Sequence, residues 1–154
     1  MSAAIANHEP PFLRLRVLGV PVPQGSTKAF VPKGWKRAIV TGDNPKTKSW
    51  RQAIIDAAVP LLEGRLPLDG AVDLRVRFYM PRPKSAPRRV VHATKIPDLD
   101  KLLRATCDAL TVAGAWRDDS QVIDASAWKG FAGGAFDHLG AGGLPRAEIE
   151  VREA

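Results

Sequence analysis

The sequence predicts an α+β domain in which a mixed β-sheet carries two helices packed on one face. Several short segments alternate apolar and polar residues, which is typical of strands with one buried face. Two longer segments repeat apolar residues at helical spacing. The length of 154 residues, with 45% apolar and 25% charged residues, fits one globular domain. We therefore expect residues 1–11 to form a flexible arm and residues 12–154 to form a single domain.

The strands are predicted where apolar residues recur at every second position. Leu13, Leu15 and Val17 alternate with Arg14 and Arg16 at the start of the chain. The same alternation predicts strands over 72–80, 122–131 and 147–151. Two shorter segments, 29–31 and 38–41, flank a Pro-Lys-Gly turn and predict a hairpin.

The two helices are predicted over 47–62 and 99–113. Pro60 should end or kink the first, because proline lacks the N–H that continues a helix. The second has one continuous apolar stripe, with Asp98 placed to cap its start and Gly114 to end it. Cys107 lies in this apolar region, so we interpret it as a small buried residue rather than a nucleophile.

The charge of the chain indicates a polyanionic partner. It has 23 Lys and Arg against 16 Asp and Glu, a net charge of +7. Residues 1–97 contain 17 basic and 6 acidic residues, whereas residues 98–154 contain 6 basic and 10 acidic residues. A basic domain of this kind most often binds nucleic acid. The sequence has no segment typical of a signal peptide or a membrane span, which predicts a cytoplasmic protein without a membrane partner.

Two basic segments are the predicted DNA contacts. Residues 81–97 contain four prolines and five basic residues but no acidic one, which favours an exposed loop that is mobile without a ligand. The hairpin mixes basic residues with Phe30 and Trp35, a composition that suits nucleic acid. A solvated linker and a solvated hairpin tip are the alternatives. The candidate DNA-binding residues are Lys28, Lys33, Lys36, Arg37, Arg82, Lys84, Arg88, Arg89 and Lys95.

Aspartates at both ends of the second predicted helix suggest a cation site. Asp98 and Asp100 open the helix, and Asp118 and Asp119 follow shortly after its end. Carboxylates that converge repel one another unless a cation joins them, and oxygen ligands favour Mg²⁺ or Mn²⁺. For the two groups to meet, the Asp118-Asp119 turn must fold back past the helix to its start. The alternative is helix capping by Asp98 together with a surface turn.

The stretch KIPDLDKLLRATCDALTVAGAWRDDSQV, residues 95–122, resembles the RusA family of crossover-junction endodeoxyribonucleases. These are Holliday junction resolvases, often carried by phages and prophages. The resemblance implies a RusA-like fold and a homodimer that binds four-way DNA junctions in DNA recombination and repair. It also implies Mg²⁺-dependent hydrolysis of two opposed phosphodiesters, with Mn²⁺ as a substitute, in a bacterial or phage-infected cell.

The resemblance also assigns residue roles. It makes Asp98, Asp100 and Asp119 the essential, metal-binding carboxylates. The family's lysine is Arg104 here, and its asparagine after the second aspartate is Lys101, so either residue could supply the catalytic cation. Asp118 would lie close to the metal ligands, and Asp108 would pair with Arg104 as a structural residue.

Two other functions remain open at this point. One is a nuclease that prefers other branched DNA, and the other is a non-catalytic basic DNA-binding module whose acidic residues only cap and solvate. Mg²⁺-dependent nicking of a synthetic junction distinguishes them, since a pure binder shifts the junction on a gel and leaves it uncut.

Overall fold

A computed structural model describes residues 9–25, 28–41, 45–138 and 142–154 of the chain. Most of the predicted arm, residues 1–8, lies outside the described residues. The elements in chain order are β1 (Leu13–Leu18), β2 (Lys28–Phe30), β3 (Ile39–Thr41), α1 (Pro45–Leu62), β4 (Val72–Met80), α2 (Leu99–Ala113), a 3₁₀ turn (Asp119–Gln121), β5 (Val122–Phe131) and β6 (Arg146–Glu153).

Strands β1, β6, β4 and β5 form a mixed sheet in that order. β4 and β5 are parallel, while β6 is antiparallel to both β4 and β1. Parallel neighbours need a long crossover connection, and α2 supplies it between β4 and β5. The predicted mixed sheet is therefore confirmed.

The core lies between one face of this sheet and the two helices. Alternate residues of β1, β4 and β6, such as Leu15, Val76 and Ile149, stand in register across that face and are buried. Ile54 of α1 and Leu102 of α2 belong to the same apolar cluster. The opposite sheet face is open except where Tyr79 and Arg146 are covered, and it carries ion pairs between neighbouring strands, among them Arg14–Glu150 and Arg16–Glu148. The prediction of two helices on one face is thus confirmed.

Helix α1 is longer than predicted at its start. It begins at Pro45, and proline suits the first position of a helix because that N–H has no intrahelical acceptor. At the other end it continues to Leu62, two residues beyond Pro60. Pro60 lies in the last turn, so its missing N–H interrupts little further helix.

The predicted hairpin is present as a separate two-stranded sheet. β2 pairs antiparallel with β3 in the register Lys28↔Thr41 to Phe30↔Ile39, shifted by one residue from the prediction in β2. The chain turns at Pro32, whose carbonyl accepts a hydrogen bond from the Trp35 N–H at 3.0 Å. The side chain of Lys28 lies outside the described part of the structure.

A buried arginine ties the glycine-rich segment before β6 to the sheet. The side chain of Arg146 has no exposed surface and forms an ion pair of 2.7 Å with Asp137, which is itself 2% exposed. The guanidinium also contacts Glu148 at 2.9 Å and lies 3.8 Å from the centre of the Tyr79 ring. The hydrogen bonds that Arg146 donates to Asp137 outweigh burial and raise the pKa of Arg146, so its guanidinium stays charged. Within the described residues, none of the helices is both long and apolar enough to cross a membrane.

Candidate functional site

The start of α2 presents two exposed carboxylates. Asp98 occupies the N-cap position, but its side chain makes no capping hydrogen bond in the described structure. Its carboxylate lies 3.3 Å from the ammonium of Lys101, and both side chains are about half exposed, at 53% and 43%. Asp100, in the first turn, is also exposed. Asp98 is therefore the N-cap residue, as predicted, but its carboxylate pairs with Lys101 and accepts no capping hydrogen bond from the helix backbone.

A second carboxylate group lies beside the last turns of α2. Oδ1 of Asp119 accepts hydrogen bonds from the hydroxyl of Thr111 and from the indole N–H of Trp116, the latter at 3.1 Å. Partial burial raises the pKa of Asp108, and the neighbouring negative charge of Asp119 raises it further. Asp108 and Asp119 are therefore close enough for their charges to interact.

The cation nearest to Asp108 differs from the predicted one. Its ion pair is with Arg51 of α1, at 3.8 Å. Arg104 contributes as well, because its positive charge lowers the pKa of Asp108, but more weakly than Arg51 does. Arg104 itself is exposed on α2. The predicted Asp108–Arg104 pair is therefore a weaker, longer-range interaction.

The predicted metal ligands do not meet within one chain. Thr111, which holds Asp119, is 11 residues beyond Asp100 on α2, about 16 Å along the helix axis. Ligand oxygens of one Mg²⁺ lie at about 2.1 Å from the ion, so a single ion cannot span this separation. Accordingly, no three His, Cys, Asp or Glu side chains of the described residues are grouped to hold a metal. The expectation that the Asp118-Asp119 turn reaches the start of the helix is wrong, because the turn stays beside its last turns.

The turn that carries Asp119 is held in one conformation by side-chain hydrogen bonds. The amide oxygen of Gln121 accepts from the backbone N–H groups of Arg117 and Asp118, at 2.8 and 3.0 Å. Its amide nitrogen donates to the carbonyls of Leu68 and Gly70. The carboxylate of Asp118 accepts from the Ser120 N–H at 2.8 Å, and hydrogen bonding by Ser120 lowers the pKa of Asp118. Asp118 is therefore a turn-forming residue in this structure.

The basic loop, residues 81–97, is closed by its own hydrogen bonds. The guanidinium of Arg82 donates to the carbonyls of Val90 and Pro87, both at 2.7 Å, and packs over the ring of Phe131. The ring of His92 stacks on Phe136 at 5.1 Å. The sequence suggested a loop ordered only by its ligand, whereas these contacts give it internal order. Its mobility stays a prediction.

The remaining predicted DNA contacts are all at the surface where their side chains are described. In the loop these are Lys84, Arg88, Arg89 and Lys95, and in the hairpin they are Lys33, Lys36 and Arg37. Exposed lysine and arginine side chains of this kind can reach phosphate without disturbing the core. Arg82 differs from them, because its guanidinium is engaged in holding the loop.

Lys129 was not among the predicted site residues. Its ammonium donates to the carbonyls of Lys95 and Pro97, both at 2.7 Å, immediately before Asp98. Lys129 lies opposite Phe78 in the sheet register, on the face that packs against the helices. A lysine at a core-facing position of an otherwise apolar pattern was the available signal. Thr111 and Trp116 carried no such signal, since both suit an ordinary helix end and core.

Comparison with known families supports the resemblance over a much longer part of the chain. The family model described as Endodeoxyribonuclease RusA matches residues 19–152, nearly the whole chain. No curated protein gives a significant match. The matched region contains both carboxylate groups, the basic loop and the whole four-stranded sheet except β1 and the last residue of β6. The chain therefore belongs to the RusA endodeoxyribonuclease family, whose members resolve Holliday junctions.

Proposed function

We propose that this chain is a Mg²⁺-dependent Holliday junction resolvase that acts as a homodimer in DNA recombination and repair. The observation that carries the proposal is the family match over residues 19–152. The charge supports it, because the basic part of the chain can bind the phosphates of a junction while the carboxylates stand at the surface of α2 and the turn after it. Two opposed incisions suit a two-fold symmetric dimer in which each chain contributes one set of the catalytic residues.

Substrate binding is assigned to the exposed cations. In the loop, Lys84, Arg88 and Arg89 would contact phosphates, and the hairpin cations would contact a second part of the junction. Such contacts position the DNA without selecting a sequence. Because a four-way junction is defined by shape, contacts spread over two separate segments suit its recognition.

Hydrolysis is assigned to Asp98, Asp100 and Asp119 with Arg104 and Lys101. A guanidinium can bind two phosphate oxygens at once, whereas an ammonium acts as a point charge. Arg104 would therefore stabilise the negative charge that builds on the scissile phosphate, and Lys101 would contact a neighbouring phosphate.

Mg²⁺ dependence rests on the chemistry of the carboxylates and on the family resemblance. Asp98 and Asp100 are separated from Asp119 along α2, so the three do not form one ion site in a single chain. The dependence is tested directly by removing divalent ions with EDTA and restoring them with Mg²⁺ or Mn²⁺.

The decisive experiment compares Asp98→Asn, Asp100→Asn and Asp119→Asn with the unchanged protein on a synthetic four-way junction. Each substitution removes one negative charge and almost no volume, so we expect cleavage to be lost and junction binding to be kept or tightened. The matched control is Asp69→Asn, because Asp69 is an exposed aspartate paired with Arg117 and should leave cleavage unchanged. If Asp119→Asn cleaved the junction at the wild-type rate, Asp119 would not be an essential carboxylate. Asp118 or Asp108 would then be the candidate for that role.

The same assay separates the rival functions. A non-catalytic DNA-binding module would retard the junction on a gel at every Mg²⁺ concentration without cutting it. A nuclease for other branched DNA would cut flaps or three-way junctions faster than four-way junctions. Faster, paired nicking of the four-way junction supports the proposal against both.

A further inference from the structure

Asp119 is held through a single oxygen atom by two donors from different parts of the fold. Thr111 belongs to the last turn of α2, and Trp116 follows the helix and is 1% exposed within the core. The indole N–H of Trp116 is shared between the hydroxyl of Thr111, at 2.7 Å, and Oδ1 of Asp119, at 3.1 Å. The three groups form a closed triangle of hydrogen bonds.

The hydrogen of the Thr111 hydroxyl has two acceptors within reach. One is the carbonyl of Cys107 at 3.0 Å, and the other is Oδ1 of Asp119. A charged carboxylate is the stronger acceptor, and the Cys107 carbonyl is already part of the helix ladder. The hydroxyl therefore donates to Asp119 and accepts from Trp116.

This arrangement fixes the direction of one carboxylate more firmly than the fold alone requires. Gln121 and Asp118 already form the turn through backbone hydrogen bonds, so the turn does not depend on the side chain of Asp119. An aspartate that only solvated the surface would need neither a buried indole nor a threonine as a donor.

We propose that Thr111 and Trp116 are positioning residues for Asp119, fixing the direction of its carboxylate in the nuclease reaction. This inference rests on the proposed role of Asp119 as a catalytic carboxylate. Neither residue needs to touch DNA, since each acts through Oδ1 of Asp119. Removing the hydroxyl should slow turnover without weakening junction binding.

The test uses three variants of the full chain. Thr111→Val removes the hydroxyl and keeps the shape, whereas Thr111→Ser keeps the hydroxyl. Thr106→Val is the matched control, because Thr106 is a fully buried threonine of the same helix whose hydroxyl donates to the Leu102 carbonyl, at 3.0 Å. We expect Thr111→Val to lower kcat at least tenfold with KM within twofold of the unchanged protein. Thr111→Ser and Thr106→Val should stay within threefold in kcat.

A second readout reports the contact independently of cleavage. The indole N–H group of each of the four tryptophans gives a signal in a ¹H–¹⁵N spectrum, and the signal that is lost in Trp116→Phe is that of Trp116. That resonance should shift in Thr111→Val and in Asp119→Asn but not in Thr106→Val. If Trp116→Phe does not fold, Trp35→Phe, Trp50→Phe and Trp128→Phe assign the other three signals and leave that of Trp116.

The outcomes separate this inference from the proposed function. A shifted resonance with unchanged kcat in Thr111→Val would show a merely structural contact and overturn the positioning role. An unshifted resonance would overturn the contact itself. Full cleavage by Asp119→Asn would instead remove the catalytic role of Asp119, on which the inference rests.

Discussion

Arg104 and Lys101 stand on α2 in different surroundings, and this difference decides their expected roles. Lys101 forms an ion pair with Asp98 at 3.3 Å, whereas Arg104, three residues further along the helix, is exposed. We expect Arg104→Ala to lower the single-turnover cleavage rate tenfold or more, a barrier increase of about 1.4 kcal/mol. Arg104→Lys should restore most of the rate, since lysine is the residue the family resemblance assigns there.

Lys101→Ala should mainly weaken junction binding. Single-turnover cleavage of a four-way junction, measured beside a gel-shift titration, separates the two effects. Lost cleavage in Lys101→Ala together with normal cleavage in Arg104→Ala would exchange their roles.

Cys107 should be chemically inert. Burial raises the pKa of its thiol to about 12, with further contributions from the negative charges of Asp119 and Asp108. We expect iodoacetamide at pH 8 to alkylate the folded protein at least a hundredfold more slowly than the protein in denaturant, because thiolate is the reactive form. Asp119→Asn should speed alkylation, since one of the charges that raise the pKa is gone. Alkylation of the native protein at the unfolded rate would contradict this.

The same shift has a defined effect on stability. The folded pKa lies above the unfolded one, so the protonated thiol favours the folded state at and below neutral pH. That contribution is lost as pH rises from about 9 towards 12, where the unfolded thiol ionises first.

The individual contacts of Asp119 could not be predicted from the sequence. The aspartates indicated a cation site, and the family resemblance identified Asp119 as one of the essential carboxylates. Its distance from Asp98, however, depends on where the turn after α2 leads the chain. Local sequence patterns do not predict the path of this turn. The turn is fixed by hydrogen bonds from Gln121 to the carbonyls of Leu68 and Gly70, which are more than 50 residues away in the chain.

At the scale of elements, the basic loop combines a structural arginine with exposed ones. Neutralising Lys84, Arg88 and Arg89 together should weaken junction binding and flatten its salt dependence. Each lost phosphate contact lowers the slope of log affinity against log salt by roughly 0.9. Arg82→Ala alone should leave this slope nearly unchanged and instead raise amide exchange in the loop, since the guanidinium holds Val90 and Pro87.

Neutralising Arg14, Arg16 and Arg75 provides the control for this prediction. This triple substitution removes as much positive charge as the loop variant does, but from the open face of the sheet. There each of the three arginines pairs with a carboxylate. An unchanged salt slope in the loop variant would place the DNA on the hairpin between Lys33 and Arg37.

Secondary structure was predictable because the patterns are long and regular. The alternation in β4 and the apolar stripe of α2 gave their bounds correctly. The predicted bounds of α1 and of the hairpin were less accurate. Proline near a helix end and strands of three residues give weak local signals, so tertiary contacts decide where these elements begin and end. The strand order, with β6 inserted between β1 and β4, was not predicted, since sequence patterns do not specify which strands become neighbours.

At the scale of the whole molecule, paired incisions require two sets of catalytic residues, and one chain carries one set. We expect light scattering at micromolar concentration to give twice the chain mass of 16.7 kDa. Exposed apolar side chains such as Val112 and Ile123, 73% and 69% exposed, are consistent with surface that association would cover. A mass of one chain, with and without junction DNA, would contradict the dimer.

Helix α2 and strand β5 are joined at both ends. At one end, Lys129 of β5 donates hydrogen bonds to the segment before α2. At the other end, Asp119 in the turn before β5 accepts a hydrogen bond from Thr111. The helix rises about 22 Å over its 15 residues, and the strand covers about 23 Å from Val122 to Lys129. The helix and the part of β5 from Val122 to Lys129 therefore have nearly equal lengths. An insertion in either element alone would prevent the contacts at both ends from forming together. In β5 it would also move Lys129 to the sheet face that points away from the helices. Length changes should be tolerated only outside this pair, as in the loop before α2.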